Sequence, residues 1–224
     1  MSPRPRIVAF DIIETVFSLE NMRPRLVELG LPGSALKLWI ASALRDAFAL
    51  SITDRFSPFR AVLRGGLVTL LSTHQLPVEE VRVAAVLDGM AELDPHPDAG
   101  DAFAALASQD VRIVALSNGA ASVTERLLQR SGLDQFVEAV YSIEQVQRFK
   151  PRREVYLHAA SASGVDPGEM ALVATHAWDI HGASAAGLTT GFVVRRQSYP
   201  AVMHRPDVEG RTLLDTVNAL MAIP

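Results

Sequence analysis

Cysteine is absent from the 224 residues of this sequence, which excludes disulfide bonds, thiolate catalysis and cysteine-ligated metal sites. The sequence also lacks an uncharged apolar run of 18 residues, so it predicts no membrane-spanning helix and no membrane partner. No stretch near its start combines the apolar segment and the small-residue cleavage site of a signal peptide. These absences predict a soluble, cytoplasmic protein.

The sequence also has no excess of basic over acidic residues. Lysine and arginine number 21 against 25 aspartates and glutamates, which gives a net charge of -4, and both signs are scattered along the chain. Nucleic-acid-binding domains carry a basic patch or stripe, so we expect no nucleic-acid partner. The length exceeds that of one common domain but falls short of two, so we expect one core with a smaller inserted unit.

The stretch from Arg6 to Phe17 contains the first chemical signal. Residues 7–10 form a short apolar run, which is typical of a strand buried on both faces of a parallel sheet. Asp11 follows where that strand should end, and Thr15 comes four residues later. Ligands bind at the carboxyl ends of such strands, so Asp11 is a candidate catalytic carboxylate with a hydroxyl beside it. An aspartate that caps a turn is the alternative interpretation.

The remaining chain divides into two kinds of pattern. Between Leu19 and Leu93 the apolar residues recur at helical spacing and no convincing strand appears, which predicts an all-helical insertion. From Pro95 onward, apolar strands alternate with amphipathic helices, one of which is closed by Gly132. The predicted strands cover residues 111–116, 139–142, 170–174 and 190–194. This alternation predicts a parallel, doubly wound α/β sheet.

Polar residues stand at or just beyond the ends of four of these segments. Because the carboxyl ends of parallel strands share one edge of the sheet, we expect the groups to converge there. Each has a structural explanation by itself, such as a helix cap or a solvated lysine, but their coincidence favours a site. The groups are Asp11 with Thr15, Ser117 with Asn118, Lys150, and Thr175, His176 and Asp179.

The same residues carry a resemblance to a known family. Asp11-x-x-x-Thr15, Ser117-Asn118-Gly119, Phe149-Lys150-Pro151 and Ala177-Trp178-Asp179 follow in the order typical of the haloacid dehalogenase superfamily of hydrolases. The last three motifs resemble the type II L-2-haloacid dehalogenase subgroup. The resemblance covers essentially the whole chain. It implies a Rossmann-like core formed by residues 1–17 and 94–224, with a helical cap formed by residues 18–93.

The resemblance also implies roles for individual residues. Asp11 would be a covalent nucleophile that Lys150 keeps ionised. Thr15 and Ser117 would hydrogen-bond the reacting carboxylate and the oxyanion, and Asp179 would orient or deprotonate the attacking water. The implied substrate-contacting positions are Ile13, Trp39, Ile40, Arg45, Asn118, Tyr156, His176 and Trp178. No metal and no cofactor are expected, the binding partner would be a small carboxylate, and a homodimer stays open. The aromatic spacing around Trp39 is by itself more typical of cap core than of a substrate wall.

Two departures bear on the reaction class. Phosphatases of this superfamily carry a second aspartate two residues after the nucleophile, where this chain has Ile13. They also carry a pair of acids in the last motif, where Asp179 stands alone. Ile13 cannot protonate an alkoxide, whereas a halide departs as a stable anion. A metal-dependent phosphatase is therefore the minority interpretation.

Three further departures bear on the substrate. The arginine that receives the halide in type II dehalogenases is replaced by Ile40, and the nearest cation, Arg45, lies on a different helical face. Glu14 stands at a position that is commonly glycine, and His176 at one that is usually asparagine. We predict a 2-haloacid dehalogenase-like hydrolase that cleaves a carbon–halogen or similar bond at C2 of a small carboxylic acid through an ester on Asp11. The alternatives are a hydrolase of a strained C–N cyclic acid such as azetidine-2-carboxylate, the phosphatase, and a non-catalytic small-molecule binder.

Overall fold

A parallel six-stranded sheet flanked by helices forms the centre of the protein, in a computed structural model that describes residues 4–195 and 198–224. The strands are, in chain order, β1 (Ile7–Phe10), β2 (Phe17–Ser18), β3 (Asp94–Pro95), β4 (Arg112–Ser117), β5 (Val137–Ser142), β6 (Met170–Ala174), β7 (Thr189–Val193) and β8 (Val208–Gly210). The helices are α1 (Met22–Glu28), α2 (Ala35–Ile52), α3 (Phe59–Thr73), α4 (Glu80–Asp88), α5 (Ala99–Ala107), α6 (Ala121–Ser131), α7 (Arg153–Ala162), α8 (Ala177–Ala186) and α9 (Leu213–Met221).

The order of the strands places β1 at the centre of the predicted doubly wound sheet. Across the sheet the order is β5-β4-β1-β6-β7-β8, and every neighbouring pair is parallel. The chain builds outward from β1 to β5 on one side and then returns to build β6, β7 and β8 on the other. The topological switch point therefore lies at the carboxyl end of β1, where open α/β sheets bind their ligands.

Local sequence explains the central elements. All four residues of β1 are fully buried, because the strand has β4 and β6 on its two sides and helices over both faces. Helix α6 ends, as predicted, at Gly132, whose φ of +69° is in the left-handed region that glycine adopts without a steric penalty. The predicted Rossmann-like α/β architecture is confirmed.

The helices α1 to α4 form a separate packed group, in which α2 contacts α1 and α3 while α4 contacts α1 and α3. Residues 19–93, all of them described, contain no strand, as predicted. The short strands β2 and β3 pair antiparallel where the chain leaves and re-enters the sheet layer, and the sequence did not predict them. Two-residue strands are too short to show a periodicity. Across residues 4–195 and 198–224, none of the helices has the length and apolar character needed to cross a membrane.

Helix α2 connects this helical group to the sheet layer. Near its end, the Ser51 hydroxyl accepts a hydrogen bond of 3.0 Å from the backbone N–H of Phe149. One turn earlier, the Phe48 ring meets the Trp178 ring edge-on at 5.3 Å between centroids. Ile40 lies on the same stripe of α2 as Ser51, since 11 residues complete close to three turns. Ile40 is therefore on the same buried side of α2 as Ser51, which contacts the sheet layer.

The end of the chain differs in one detail from the sequence-based expectation. The sequence-based strands end at residue 194, but the short strand β8 follows the loop of residues 204–207 and precedes α9. Strand β8 is three residues long, and among the described residues it pairs only with β7, at the edge of the sheet. Helix α8 starts at Ala177, so Trp178 and Asp179 lie in its first turn.

Candidate active site

The groups predicted to converge do meet at the carboxyl edge of the sheet. Asp11 directly follows β1, Ser117 ends β4, and Thr175 directly follows β6. Since β4 and β6 are the two neighbours of β1, their ends flank Asp11. Asp11 is nearly buried, with 5% of its surface exposed.

Lys150 is the electrostatic centre of the site. Its Nζ donates to Asp11 Oδ1 at 2.8 Å, to Asp179 Oδ2 at 2.6 Å and to the carbonyl oxygen of Leu116 at 3.0 Å. These contacts satisfy all three ammonium donors of a side chain that is completely buried. A buried charge is tolerated only with such pairing, so Lys150 is fixed between the two carboxylates.

Thr15 fixes the other oxygen of Asp11. Its hydroxyl donates to Asp11 Oδ2 at 2.7 Å and accepts from the backbone N–H of Thr175 at 3.0 Å. The Thr15 hydroxyl therefore links the carboxylate of Asp11 to the backbone at the end of β6. With Lys150 on Oδ1 and Thr15 on Oδ2, the carboxylate of Asp11 has a single defined orientation.

The pKa values of Asp11 and Asp179 are shifted in opposite directions. Burial would raise the pKa of Asp11, but the Lys150 ammonium and the His176 ring outweigh it and hold that pKa well below its usual range. For Asp179, burial raises the pKa although Lys150 opposes the change, and the charge of Asp11 adds to the rise. Burial lowers the pKa of Lys150, but the two carboxylates outweigh burial and raise that pKa above its usual value, so the side chain stays an ammonium. Asp11 is thus the carboxylate that remains ionised and able to attack.

Asp179 is enclosed by the groups around it. Its Oδ1 accepts from the Tyr156 hydroxyl at 2.6 Å, and its Oδ2 accepts from Lys150. Gly182, one turn further along α8, allows this approach: a Cβ there would lie 2.7 Å from the Tyr156 hydroxyl and 2.5 Å from Cβ of Pro151. Both Asp179 and Tyr156 are completely buried.

His176 contacts two carboxylates. Its Nδ1 lies 3.2 Å from Asp11 Oδ2 and its Nε2 lies 3.1 Å from Glu14 Oε2. Burial lowers the pKa of His176, but the hydrogen bonds and charges of Asp11 and Glu14 raise it to about 9. The ring is therefore a cation at neutral pH, with both nitrogens as donors.

Aromatic rings form one wall beside the charged groups. Trp178 stacks on His176 at 5.2 Å between centroids and packs against Phe48 of α2. The Lys150 ammonium lies 5.9 Å from the centre of the same indole ring, close enough for a cation–π attraction. Phe48 therefore belongs to the boundary between the helical group and the site.

The residues after β4 support the site through backbone contacts. Ser117 Oγ accepts from the N–H of Gly119 at 2.9 Å rather than hydrogen-bonding Asp11. Asn118 Oδ1 accepts from the N–H of Lys150 at 3.0 Å, which fixes the amide and leaves its NH₂ group as the available donor. Ile13, in the loop after β1, is half-buried.

Three residues predicted to contact the substrate have other contacts in the structure. Trp39 is completely buried in the helical group, where its Nε1–H donates to the carbonyl oxygen of Leu63 at 2.8 Å. Arg45 extends into solvent and pairs with Asp46 at 2.8 Å, because position 45 lies on the outer face of α2. Tyr156 has no exposed surface, and its hydroxyl donates to Asp179. Ile40, 9% exposed, remains on the inward stripe.

Two residues of the site were missed or undervalued from sequence. Glu14 was noted only as an unusual residue beside Asp11, and its contact with His176 was not foreseen. His96 was not among the predicted site residues, yet its Nε2 lies 3.1 Å from the carbonyl oxygen of Glu14. Burial lowers the pKa of His96, and Arg195 lowers it further, so the ring is neutral and donates to that carbonyl. The simultaneous departure of positions 14 and 176 from the subgroup pattern was the available signal.

The described side chains around Asp11 do not form a metal-binding cluster. Within residues 4–195 and 198–224, no three or more His, Cys, Asp or Glu side chains are grouped so that they could hold an ion. The acids nearest the centre, Asp11 and Asp179, are both paired with Lys150.

The amino-acid sequence is similar to those of known hydrolases. The family model for haloacid dehalogenase-like hydrolases matches residues 5–187. The chain is 28% identical to an (S)-2-haloacid dehalogenase of Xanthobacter autotrophicus, over 85% of this chain and 75% of that protein. It is 27% identical to (S)-2-haloacid dehalogenase 4A of Burkholderia cepacia, over 96% and 91%.

Solved structures show the same fold. The L-2-haloacid dehalogenase of Xanthobacter autotrophicus superposes with a TM-score of 0.91 at 23% identity, over 98% of this chain and 100% of that one. A second structure of that enzyme, with chloropropionic acid covalently bound, gives the same values. At this level of identity the likeness establishes the architecture.

Proposed function

Because the chain belongs to the haloacid dehalogenase-like hydrolases, we propose that it hydrolyses a carbon–halogen bond at C2 of a small carboxylic acid. Asp11 attacks C2 and displaces the halide, and water then hydrolyses the resulting ester. One observation carries this proposal: Asp11 is an ionised carboxylate fixed on one oxygen by Lys150 and on the other by Thr15. Such an oriented anion is an activated nucleophile.

The relatives' chemistry supports the same assignment. The matched proteins from Xanthobacter autotrophicus and Burkholderia cepacia are (S)-2-haloacid dehalogenases, and chloropropionic acid is covalently bound in one solved relative. The apolar side chain of Ile13 is consistent with a halide leaving group, because a group that departs as a stable anion needs no proton donor. The NH₂ group of Asn118 and the indole N–H of Trp178 are the neutral donors we assign to the halide.

The remaining residues have supporting roles in this proposal. Lys150 keeps Asp11 ionised, and Ser117 shapes the turn after β4 through Gly119. Asp179 holds Lys150 in place from the far side, and Tyr156 in turn donates a hydrogen bond to Asp179. The helical group of residues 18–93 serves as a cap, an assignment supported by the contact of Phe48 with Trp178 across its boundary.

A turnover screen tests the proposal. Purified protein is incubated with L-2-chloropropionate, azetidine-2-carboxylate and a phosphomonoester, and the release of chloride, ring-opened product or phosphate is measured. We expect chloride release that Asp11→Asn abolishes and that Asp46→Asn, at the surface of α2, leaves unchanged. Phosphate release without chloride release would contradict the proposal.

The position of the new oxygen tests the covalent step. After a single turnover in H₂¹⁸O, label should appear in the carboxylate of Asp11, because water attacks the ester carbonyl rather than the substrate carbon. Label found only in the hydroxy acid would mean direct attack by water on C2.

A second candidate function rests on His176. Opening a strained C–N ring needs the same carboxylate nucleophile, but the departing amine also needs a proton. His176 is a cation 3.2 Å from Asp11 and could supply it. Azetidine-2-carboxylate in the same screen distinguishes this activity from dehalogenation.

A further inference from the structure

We propose that Ser51, in the last turn of α2, is a positioning residue for Lys150. Its hydroxyl holds the backbone N–H of Phe149, the residue before Lys150, and thereby keeps the lysine ammonium in contact with Asp11. This inference rests on the proposed function, because it concerns how the nucleophile is kept ionised and oriented. It makes the helical group a part of the catalytic geometry of the sheet layer.

The loop that carries Lys150 is held by Ser51 on both sides of the lysine. Ser51 Oγ accepts from the backbone N–H of Phe149 at 3.0 Å, and the carbonyl oxygen of Ser51 accepts from the Arg152 guanidinium at 3.4 Å. Ser51 is only 3% exposed and Phe149 is completely buried. Loss of the Ser51 hydroxyl would therefore leave the N–H of Phe149 buried without a partner, which is energetically costly.

The contacts of Lys150 depend on the exact position of its backbone. The ammonium sits on a flexible four-carbon stem, yet its three contacts are all between 2.6 and 3.0 Å. The backbone N–H of Lys150 donates to Asn118 Oδ1 at 3.0 Å. Asn118 thus fixes the lysine from the β4 side, while Ser51 fixes the preceding residue from the α2 side. A backbone displacement of about 1 Å would lengthen the ammonium contacts beyond hydrogen-bond distance.

Aromatic packing holds Phe149 against the helical group as well. Its ring lies 5.6 Å from the ring of Phe56 and 6.0 Å from the ring of Phe59, measured between centroids, and the second contact is edge-on. Aromatic pairs at these distances attract one another beyond the effect of burial alone. Both the ring and the N–H of Phe149 therefore contact the helical group, which restricts how this residue can move.

Charged residues surround the same junction at the surface. Asp54 Oδ1 lies 3.5 Å from Arg148 and 3.6 Å from Arg152, but its side chain is 66% exposed, so these ion pairs contribute little to stability. Asp54 and Gln147 have φ values of +54° and +51°, in the left-handed region that residues other than glycine rarely adopt. Such conformations persist where surrounding contacts hold them. The buried contact of Ser51 is therefore the one expected to fix the loop.

Displacement of Lys150 would act directly on the nucleophile. The ammonium is the first of the groups that hold the pKa of Asp11 low against the effect of burial, and it also fixes Oδ1. Without it, Asp11 would be a buried carboxylate with less compensation and a freer orientation. The chemical step proceeds in the fraction of molecules in which the ammonium is in place, so we expect a loss of this contact to lower kcat rather than to raise KM.

Chemical labelling of lysine tests the inference without any assumption about the substrate. Lysine occurs only at positions 37 and 150, and Lys37 is exposed whereas Lys150 is completely buried. The folded protein is acetylated with N-hydroxysuccinimidyl acetate, and the rate at each lysine is measured by mass spectrometry, with Lys37 as the internal standard. We expect Ser51→Ala to raise the ratio of Lys150 to Lys37 labelling roughly 5-fold, the change that corresponds to one neutral hydrogen bond.

Matched variants separate this effect from a general loss of stability. Ser42→Ala, on the same helix, should label as wild type does. Val217→Ala, a buried position of α9, should lower the free energy of unfolding without changing the labelling ratio. Ser51→Thr retains the hydroxyl and should retain the protection of Lys150. Ser51→Cys, whose sulfur is a weak acceptor, is the substitute if either Ser51 variant fails to fold, and it should give a smaller rise than alanine.

Steady-state kinetics with L-2-chloropropionate tests the consequence for the reaction. Ser51→Ala should lower kcat roughly 5-fold and leave KM within about 2-fold of wild type. Ser51→Thr should restore kcat. Asp54→Asn, which removes only the exposed ion pairs of the junction, should leave both constants unchanged.

Distinct results would overturn the inference. Unchanged labelling of Lys150 in Ser51→Ala would show that Ser51 does not position the lysine, and an equal rise in Val217→Ala would mean that labelling follows global unfolding. A higher KM with an unchanged kcat in Ser51→Ala would mean that Ser51 affects substrate binding instead. If wild type releases no chloride, the proposed function is wrong, while the labelling ratio still decides whether Ser51 positions Lys150.

Discussion

Replacement of His176 by asparagine should change how the stability of the protein depends on pH. In the folded protein the carboxylates of Asp11 and Glu14 raise the pKa of His176 from 6.5 to about 9. Because this pKa is higher in the folded than in the unfolded chain, folding binds a proton between these values. The stabilisation is complete below about pH 6.5 and is lost as the pH rises through 9.

The size of the effect follows from the same values. One pKa unit corresponds to about 1.4 kcal/mol, so a rise from 6.5 to about 9 contributes about 3 kcal/mol. His176 is only 11% exposed, so solvent screening reduces this value little. Asparagine can still donate to Asp11 but does not titrate, so the variant lacks the pH-dependent part.

Urea unfolding from about pH 6 to pH 10 measures the effect. The free energy of unfolding of wild type should exceed that of His176→Asn by an amount that falls by about 3 kcal/mol across this range. Taking the difference removes other titrating groups that both proteins share. A difference that does not change with pH would refute the reasoning, because it would mean that His176 is not a cation between Asp11 and Glu14.

Three other outcomes are expected. Replacing Glu14, at a φ of +66°, by glycine should give a protein about 1 kcal/mol more stable than replacing it by alanine, because only glycine adopts that conformation without penalty; equal melting curves would contradict this. Lys150→Met should lower the free energy of unfolding by about 3 to 5 kcal/mol at neutral pH, because two carboxylates are left buried without a cation. The decrease should be smaller at about pH 5, where a carboxyl can protonate. A decrease in the free energy of unfolding that does not depend on pH would argue against a charge effect. Ile40→Arg should raise turnover of L-2-chloropropionate by roughly 10-fold or more, since a charge-assisted hydrogen bond to the halide contributes about 1.5 to 3 kcal/mol. Leu38→Arg, on the exposed face of the same helix, should not raise it. Equal rates in both variants would show that position 40 does not face the halide.

Much of the architecture is encoded locally. The apolar run 7–10 and the alternation of strands and helices after Pro95 were sufficient to predict a parallel sheet with Asp11 at its carboxyl edge. The helical spacing between Leu19 and Leu93 predicted a block without strands. These features depend on periodicity within a single segment, and a sequence displays periodicity directly. The two-residue strands β2 and β3 and the three-residue β8 were not predicted, because so few residues show no period.

Tertiary structure decided which side chains act together. The sequence placed His176 and Asp179 three residues apart, but α8 begins between them, so one faces Asp11 and Glu14 while the other is enclosed by Lys150 and Tyr156. Arg45 is near Ile40 along the chain, yet the rotation of α2 turns it to solvent. The contact between positions 14 and 176 spans 162 residues. Strand order and helix rotation determine such a contact, so the local pattern shows the residue types while the packing of distant segments decides their partners.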